Sequence, residues 1–170
     1  MSNDKQNILF EKPSDELIKK AQDNLSKKHL IIHGDPMSGK SLLIRLLLKN
    51  TFYSTVDLFD RFEFPDTFDW RLGKNSQHDD YLLFNDLSSS FAPNCFTIFC
   101  SGSPIKINSL GVEPFFIAPR IILEYKHELS EAFLFGGSIR RRFHVINTNT
   151  ISYKEIMDFI KKWNNNEPLS

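Results

Sequence analysis

Between His29 and Asn50 the chain reads HLIIHGDPMSGKSLLIRLLLKN, and this stretch constrains the fold more than any other. His29 to His33 is a short apolar run that predicts a buried strand. Gly34-Asp35-Pro36-Met37-Ser38-Gly39-Lys40-Ser41 then matches G-x-x-x-x-G-K-[ST] in full. Lys40 to Lys49 carries an almost continuous apolar face and predicts a helix. Strand, glycine loop and helix together open an α/β unit. Each fixed position has a chemical reason. The glycines let the backbone curl until its N–H groups point at phosphate oxygens. Lys40 brings a positive charge to the β- and γ-phosphates of a nucleoside triphosphate, and the Ser41 hydroxyl is a magnesium ligand. The helix that starts here adds its N-terminal dipole.

Such a cradle needs an acidic residue at the end of a neighbouring strand, to hold magnesium through water and to orient the attacking water. YLLFND, Tyr81 to Asp86, supplies one: an apolar strand, Tyr81 to Phe84, that ends in Asn85-Asp86. The plainer alternative is a buried strand followed by an Asx-type turn. Asp86 is the one carboxylate at that strand end, so it serves both purposes or another acid helps. Asp57, Asp79 and Asp80 are the candidates, with no spacing to choose among them.

Around these motifs the chain reads as one α/β domain of 170 residues, long enough for a sizeable core. Residues 1–28 hold an N-terminal amphipathic helix, Pro13 to Lys28, capped by Ser14, with Leu17, Ile18, Ala21 and Leu25 at helical spacing. Residues 29–150 form the core, and 151–170 a closing helix (Tyr153 to Trp163) and a frayed tail, NNNEPLS. Phe52 to Asp80 is aromatic and acidic and gives no clear element, and its SQHDD end reads as a loop. Cys95 to Cys100 reads as a short strand or helix end. Ile105 to Ile107 and Pro114 to Ile117, joined by NSLG, predict a β-hairpin. Arg120 to Tyr125 predicts a fourth buried strand, and Glu128 to Leu134 a short helix. The basic cluster IRRRFHVI follows that helix. The 16 phenylalanines read as core packing, since they follow strand positions and lack the basic interleaving of a base-stacking platform.

Composition narrows the partners. Basic and acidic residues balance at 21 each, so nucleic acid would have to be met by a local basic patch. Arg140, Arg141 and Arg142 are one such patch. They read as a solvated surface, as a nucleic-acid backbone contact, or as the source of an arginine that reaches the γ-phosphate of a neighbouring subunit. Lys106 in the hairpin reads equally as a phosphate contact or a solvent-facing strand residue. Cys95 and Cys100, with no metal spacing, suggest neither a disulfide framework nor a zinc site. His33 beside the loop reads as structural. No apolar run has the length of a membrane span and no signal peptide is visible, so the expected setting is intracellular, with host nucleus and cytoplasm undistinguished.

Taken in order, these pieces resemble the superfamily 3 helicases of small viruses, including the ATPase domains of circular single-stranded DNA virus, parvovirus and papillomavirus replication proteins. GDPMSGKS is similar to the family's Walker A element, and YLLFND to its Walker B. GSPIKINSLGVEPFFIAPRIILEY is similar to its B′ hairpin and motif C, and RRRFHVI to its arginine-finger segment. The likeness spans roughly residues 29–148. It implies a P-loop NTPase with an AAA+-like three-layer core, a central mostly parallel sheet and a B′ β-hairpin. It further implies ATP and Mg2+ at subunit boundaries of a hexameric ring, and single-stranded DNA or RNA drawn through the channel by the hairpin. Residues 34–41 would then hold nucleotide, and Ser41 and Asp86 the metal. Lys40 and Asp86 would act in catalysis with Arg141 or Arg142 in trans, and Lys106 would face the nucleic acid. The chain departs from the family twice. Asn85 stands where a first acid is usual, and Glu124-Tyr125-Lys126-His127 lacks the asparagine that closes motif C. Losing a polar orienting group can cost several kcal/mol of transition-state stabilisation, so slow hydrolysis is expected, or a nucleotide-dependent binding module that does not unwind. The family's initiators carry an upstream nuclease domain for which about thirty residues leave no room. The expectation is a separated helicase part with a nuclease partner in another chain, or a relative that has lost nicking.

Overall fold

The computed structural model describes residues 12–25, 27–57, 74–108, 111, 113–134, 137–165 and 167. Five parallel strands form one sheet: β1 (His29–His33), β2 (Tyr53–Asp57), β3 (Tyr81–Leu87), β6 (Arg120–Tyr125) and β7 (Phe143–Asn147). They lie in the order β2-β3-β6-β1-β7. β4 (Ile105–Ile107) and β5 (Phe115–Ile117) pair antiparallel as a separate hairpin, with Lys106 opposite Phe116.

Alternation along the strands divides the core into two layers of contact. Leu30, Ile32, Leu83, Ile122 and Ile146 face one way, against Leu43, Ile44 and Leu47 of α2 (Lys40–Leu47) and Phe159, Ile160 and Trp163 of α5 (Tyr153–Asn164). Ile31, Leu82, Phe84, Ile121 and Leu123 face the other way, against Phe96 and Phe99 of a 3-10 helix (Pro93–Cys100) and Ile107 and Phe115 of the hairpin. α1 (Asp15–Leu25), α3 (Glu131–Leu134) and α4 (Gly137–Arg142) are the other α-helices among the described residues. This is a three-layer α/β core of the P-loop NTPase type, with an AAA+-like strand order and a B′-type hairpin. Among the described residues no helix is long and apolar enough to cross a membrane.

Several elements differ from the sequence reading. α1 is shorter than Pro13 to Lys28, although Ser14 does cap it, accepting the Leu17 N–H at 3.3 Å. α2 stops at Leu47, two residues early. The SQHDD region holds a 3-10 turn, Lys74–His78, and the run around Cys95 is a 3-10 helix opened by Pro93. The helix expected from Glu128 begins at Glu131. β6 is not the last core strand. β7 follows the arginine cluster and pairs with β1 from His29↔Phe143 to His33↔Asn147. β2 was unassigned in the sequence. The arginines do sit at a helix-to-strand junction, and the two strands whose bounds the sequence does not show lie at the sheet's edges, where the burial pattern that betrays a strand is weakest: β7 alternates irregularly and Tyr53 is 45% exposed. Residues 58–73 of the unassigned stretch, Ser109 and Leu110 of the hairpin turn, and most of the expected frayed tail lie outside the described residues.

Candidate nucleotide site

All five strands run the same way, so their C-terminal ends gather at one edge, where open α/β sheets bind ligands. The phosphate loop leaves β1 at that edge. Gly34 has φ +147° and Gly39 φ +94°, conformations that suit glycine. A Cβ on Gly34 would stand 2.2 Å from Thr148 Oγ1, so the loop also needs a bare backbone there. The Lys40 side chain is 8% exposed, and its Nζ donates to the carbonyls of Gly34 and Asp35 at 2.8 Å each and of Lys126 at 3.4 Å. These acceptors are neutral, so phosphate oxygens, which carry charge, compete well for the same ammonium. Met37, fully exposed at the loop's tip, has φ +66°.

A second set of polar groups braces the loop from the β7 side. Ser38 Oγ and Thr148 Oγ1 are 2.5 Å apart, and Thr148 also donates to the His33 carbonyl. Asn149 accepts the Asp35 N–H at 2.9 Å and donates to Asp35 and Glu128 carboxylates. Asn147 donates to Glu128 at 2.5 Å, and these two asparagine bonds hold the Glu128 carboxyl below its usual range. His33 accepts the Leu129 N–H at Nδ1, which bears out its structural reading. The sequence reading did not single out Asn147, Thr148, Asn149 or Glu128. The polar run NTNT directly after a strand was the one available signal.

The acidic side of the site is arranged differently from the expectation. β3 does not end at Asn85-Asp86 but continues to Leu87 through a bulge. Phe84 pairs with Leu123 and Leu87 with Tyr125, so β3 uses one more residue than β6 across the same span. Asp86, exposed, takes φ +54° at this point, a left-handed conformation that aspartate tolerates better than most side chains. Between β3 and β1 lies β6, and it brings a second carboxylate, Glu124. Glu124 is 5% exposed and accepts the Ser41 hydroxyl at 3.4 Å. Burial first, and then the charge of Asp86, hold its carboxyl above the usual range, against the opposing pull of Lys40 and the Ser41 bond.

Of the helper acids considered from sequence, Asp79 and Asp80 are placed elsewhere, and Asp57 lies at the site's own edge of the sheet, one strand beyond Asn85. Asp79 and Asp80 precede β3, at the opposite edge of the sheet. Asp79 accepts a short hydrogen bond from Ser54, and Asp80 pairs with Lys20 at 3.4 Å. Asp57 closes the edge strand β2 opposite Asn85. Sequence spacing does not mark Glu124 as an acid of this site, because its place beside the loop depends on strand order.

Arg140, Arg141 and Arg142 form the last turn of α4, directly before β7. Their edge is the one opposite the phosphate loop, about 13 Å away along β1 at the usual strand rise. Arg141 and Arg142 line a cleft of about 430 Å³ together with Lys27 and Lys28, and no acidic residue among the described ones lines it. Lys106 is exposed on β4, the strand whose Ile105 lines that same cleft. The loop, Ser41, Asp86 and Glu124 therefore meet in one chain, and the arginines and Lys106 do not join them. Among the described residues no three His, Cys, Asp or Glu side chains converge on one point. A cation here would be held by a hydroxyl, one or two carboxylates and phosphate oxygens, a donor set that suits magnesium.

No protein-family model and no curated protein sequence matches the chain. Solved structures with a similar fold include a JCV helicase bound to a thiazolopyridine acetamide compound, at 15% identity and a TM-score of 0.48, matching 78% of this chain and 39% of that one. They also include the apo C-terminal region of NrS-1 (16%, TM-score 0.47, 89% and 44%) and NtrX from Brucella abortus in complex with ATP (13%, TM-score 0.45, 78% and 36%). The chain spans less than half the length of each. All three fall below a TM-score of 0.5, and the fold stands on the strand order and the phosphate loop instead.

Proposed function

We propose that the chain is the ATP-binding core of a superfamily 3 type helicase, which couples ATP binding and slow hydrolysis to movement along single-stranded DNA or RNA. The observation that carries this reading is the convergence of residues 34–41, Asp86 and Glu124 at the C-terminal ends of three adjacent strands. In it, residues 34–41 wrap the phosphates, Lys40 neutralises the β- and γ-oxygens, and Ser41 and Asp86 hold magnesium. When bound, the metal neutralises developing phosphate charge.

The arginines sit at the edge away from the chain's own loop, so their contribution to hydrolysis comes in trans. A second copy, in a hexameric ring, would offer its γ-phosphate to Arg141 or Arg142, in a cleft whose lysines favour an anion. Lys106, exposed on the hairpin, would contact the nucleic-acid backbone in the channel. The second reading, a module that uses ATP to organise an oligomer without unwinding, is favoured by Asn85 and by the missing motif C asparagine.

Single-turnover ATP hydrolysis with magnesium, with and without single-stranded DNA or RNA, separates the two. The helicase reading predicts slow hydrolysis that nucleic acid stimulates and that Lys40→Ala lowers by about 100-fold or more. Binding without hydrolysis under either condition selects the module. For Lys106→Ala, the expectation is weaker nucleic-acid binding with a salt slope smaller by about one. An unchanged slope removes Lys106 from the interface.

A further inference from the structure

The family pattern asks one strand end for two acids, and this chain has Asn85 in the first place. The fold nevertheless presents two carboxylates to the same loop, from two strands and in two different settings. Glu124 is buried and bonded to the hydroxyl of Ser41, the residue that faces magnesium in a loop of this kind. Asp86 is exposed, and the bulge with its positive φ re-aims that position relative to an unbroken strand. Strained left-handed residues of this kind concentrate where a side chain must be held in an unusual direction. The two lie close enough for the Asp86 charge to act on Glu124, and among the described residues the Lys40 ammonium opposes it. Two neighbouring carboxylates beside one lysine ammonium leave negative charge that a divalent cation offsets.

We propose that the two acids divide the work that a paired acidic motif performs elsewhere: Glu124, through Ser41, holds the hydrated magnesium of the nucleotide, and Asp86 orients the attacking water. This rests on the nucleotide-site reading above and moves the metal from Asp86 to Glu124. In the step itself, the water oxygen bonds to the γ-phosphorus as the bond from that phosphorus to the β–γ bridging oxygen breaks. The electron pair leaves with ADP, and the water's protons leave on the orthophosphate. Asp86 accepts a hydrogen bond from the water as it approaches. Asn85, which adds no charge, is then no defect, since the second acid comes from β6.

Mn2+ affinity for the chain's ADP complex, read by electron paramagnetic resonance, tests the division without relying on turnover. Glu124→Gln is expected to weaken Mn2+ by about 10–100-fold, with metal-free ADP affinity kept within about threefold. Asp86→Asn is expected to leave Mn2+ within about threefold and to lower hydrolysis by about 100-fold or more. Unchanged Mn2+ affinity in Glu124→Gln, or the larger loss falling on Asp86→Asn, overturns the proposal. The unaltered chain gives a check independent of variant folding: Fe2+ with ascorbate and peroxide, in the ADP complex, should cut the backbone beside Ser41 and Glu124. Cuts beside Ser41 and Asp86 with Glu124 spared would also overturn it. Failure of the nucleotide reading shows differently, as ADP binding that Lys40→Ala does not reduce.

Discussion

Gly34 shows at the scale of one residue why the loop has the sequence it has. Its φ of +147° and the 2.2 Å gap between a built Cβ and Thr148 Oγ1 leave no room for a side chain. Gly34→Ala should destabilise the fold by about 1–3 kcal/mol in urea titration and lower ATP affinity as well, because the Thr148 brace must move. Full affinity in that variant would mean that the brace is irrelevant to the cradle. His29 carries a different residue-scale consequence. Burial, and secondly the nearby Arg120 charge, lower its pKa to about 4, and its neutral Nδ1 accepts the Ile121 N–H at 3.0 Å. The folded value lies below the unfolded 6.5, so between those pH values the unfolded chain binds a proton that the folded chain refuses. Stability from this residue is therefore complete above pH 6.5 and is lost as the pH falls toward 4, by about 3 kcal/mol at most. Urea titrations at several pH values should show this slope in the wild type and a shallower one in His29→Gln. Equal slopes would contradict it.

At the scale of elements, α5 closes the sheet face that α2 begins. Ser152 accepts the Glu155 N–H at 3.3 Å, and the Glu155 carboxylate accepts the Ser152 N–H at 2.8 Å, a reciprocal cap. Ser152→Ala should cost about 1 kcal/mol of stability and leave metal-free ADP affinity unchanged. A loss of affinity there would show that α5 reaches the nucleotide. Elements also decide what a sequence discloses. β1 and β6 are central, buried at every position, and stand out as apolar runs with the boundaries seen in the fold. The hairpin was visible because turn residues separate two apolar runs. β2 and the bounds of β7 are not, because edge strands need bury only part of their surface. The bulge at Asp86 is a tertiary fact: YLLFND reads as a strand that stops, and only pairing with β6 shows that it continues to Leu87.

On the scale of the whole molecule, one parallel sheet separates two charged ends. The loop and its acids occupy one, and Lys27, Lys28, Arg141 and Arg142 share a cleft at the other. The two ends of a chain cannot act on one phosphate, but the ends of two chains can. The motifs could be read from sequence, whereas their separation could not, since it follows from strand direction and order. Mixing Lys40→Ala with the double variant Arg141→Ala, Arg142→Ala should restore part of the hydrolysis that each lacks alone, since some boundaries then join an intact loop to intact arginines. No recovery, together with sedimentation as a monomer in ATP, would confine the arginines to another role.

Everything above depends on the loop being a nucleotide cradle, and calorimetric titration of the chain with ATP and magnesium tests that most directly. The account predicts saturable binding to one site per chain in the wild type, reduced by at least about tenfold in Lys40→Ala, whose lost charge-assisted bonds are worth about 1.5–3 kcal/mol each. Equal binding by the two proteins, or none by the wild type, would contradict it.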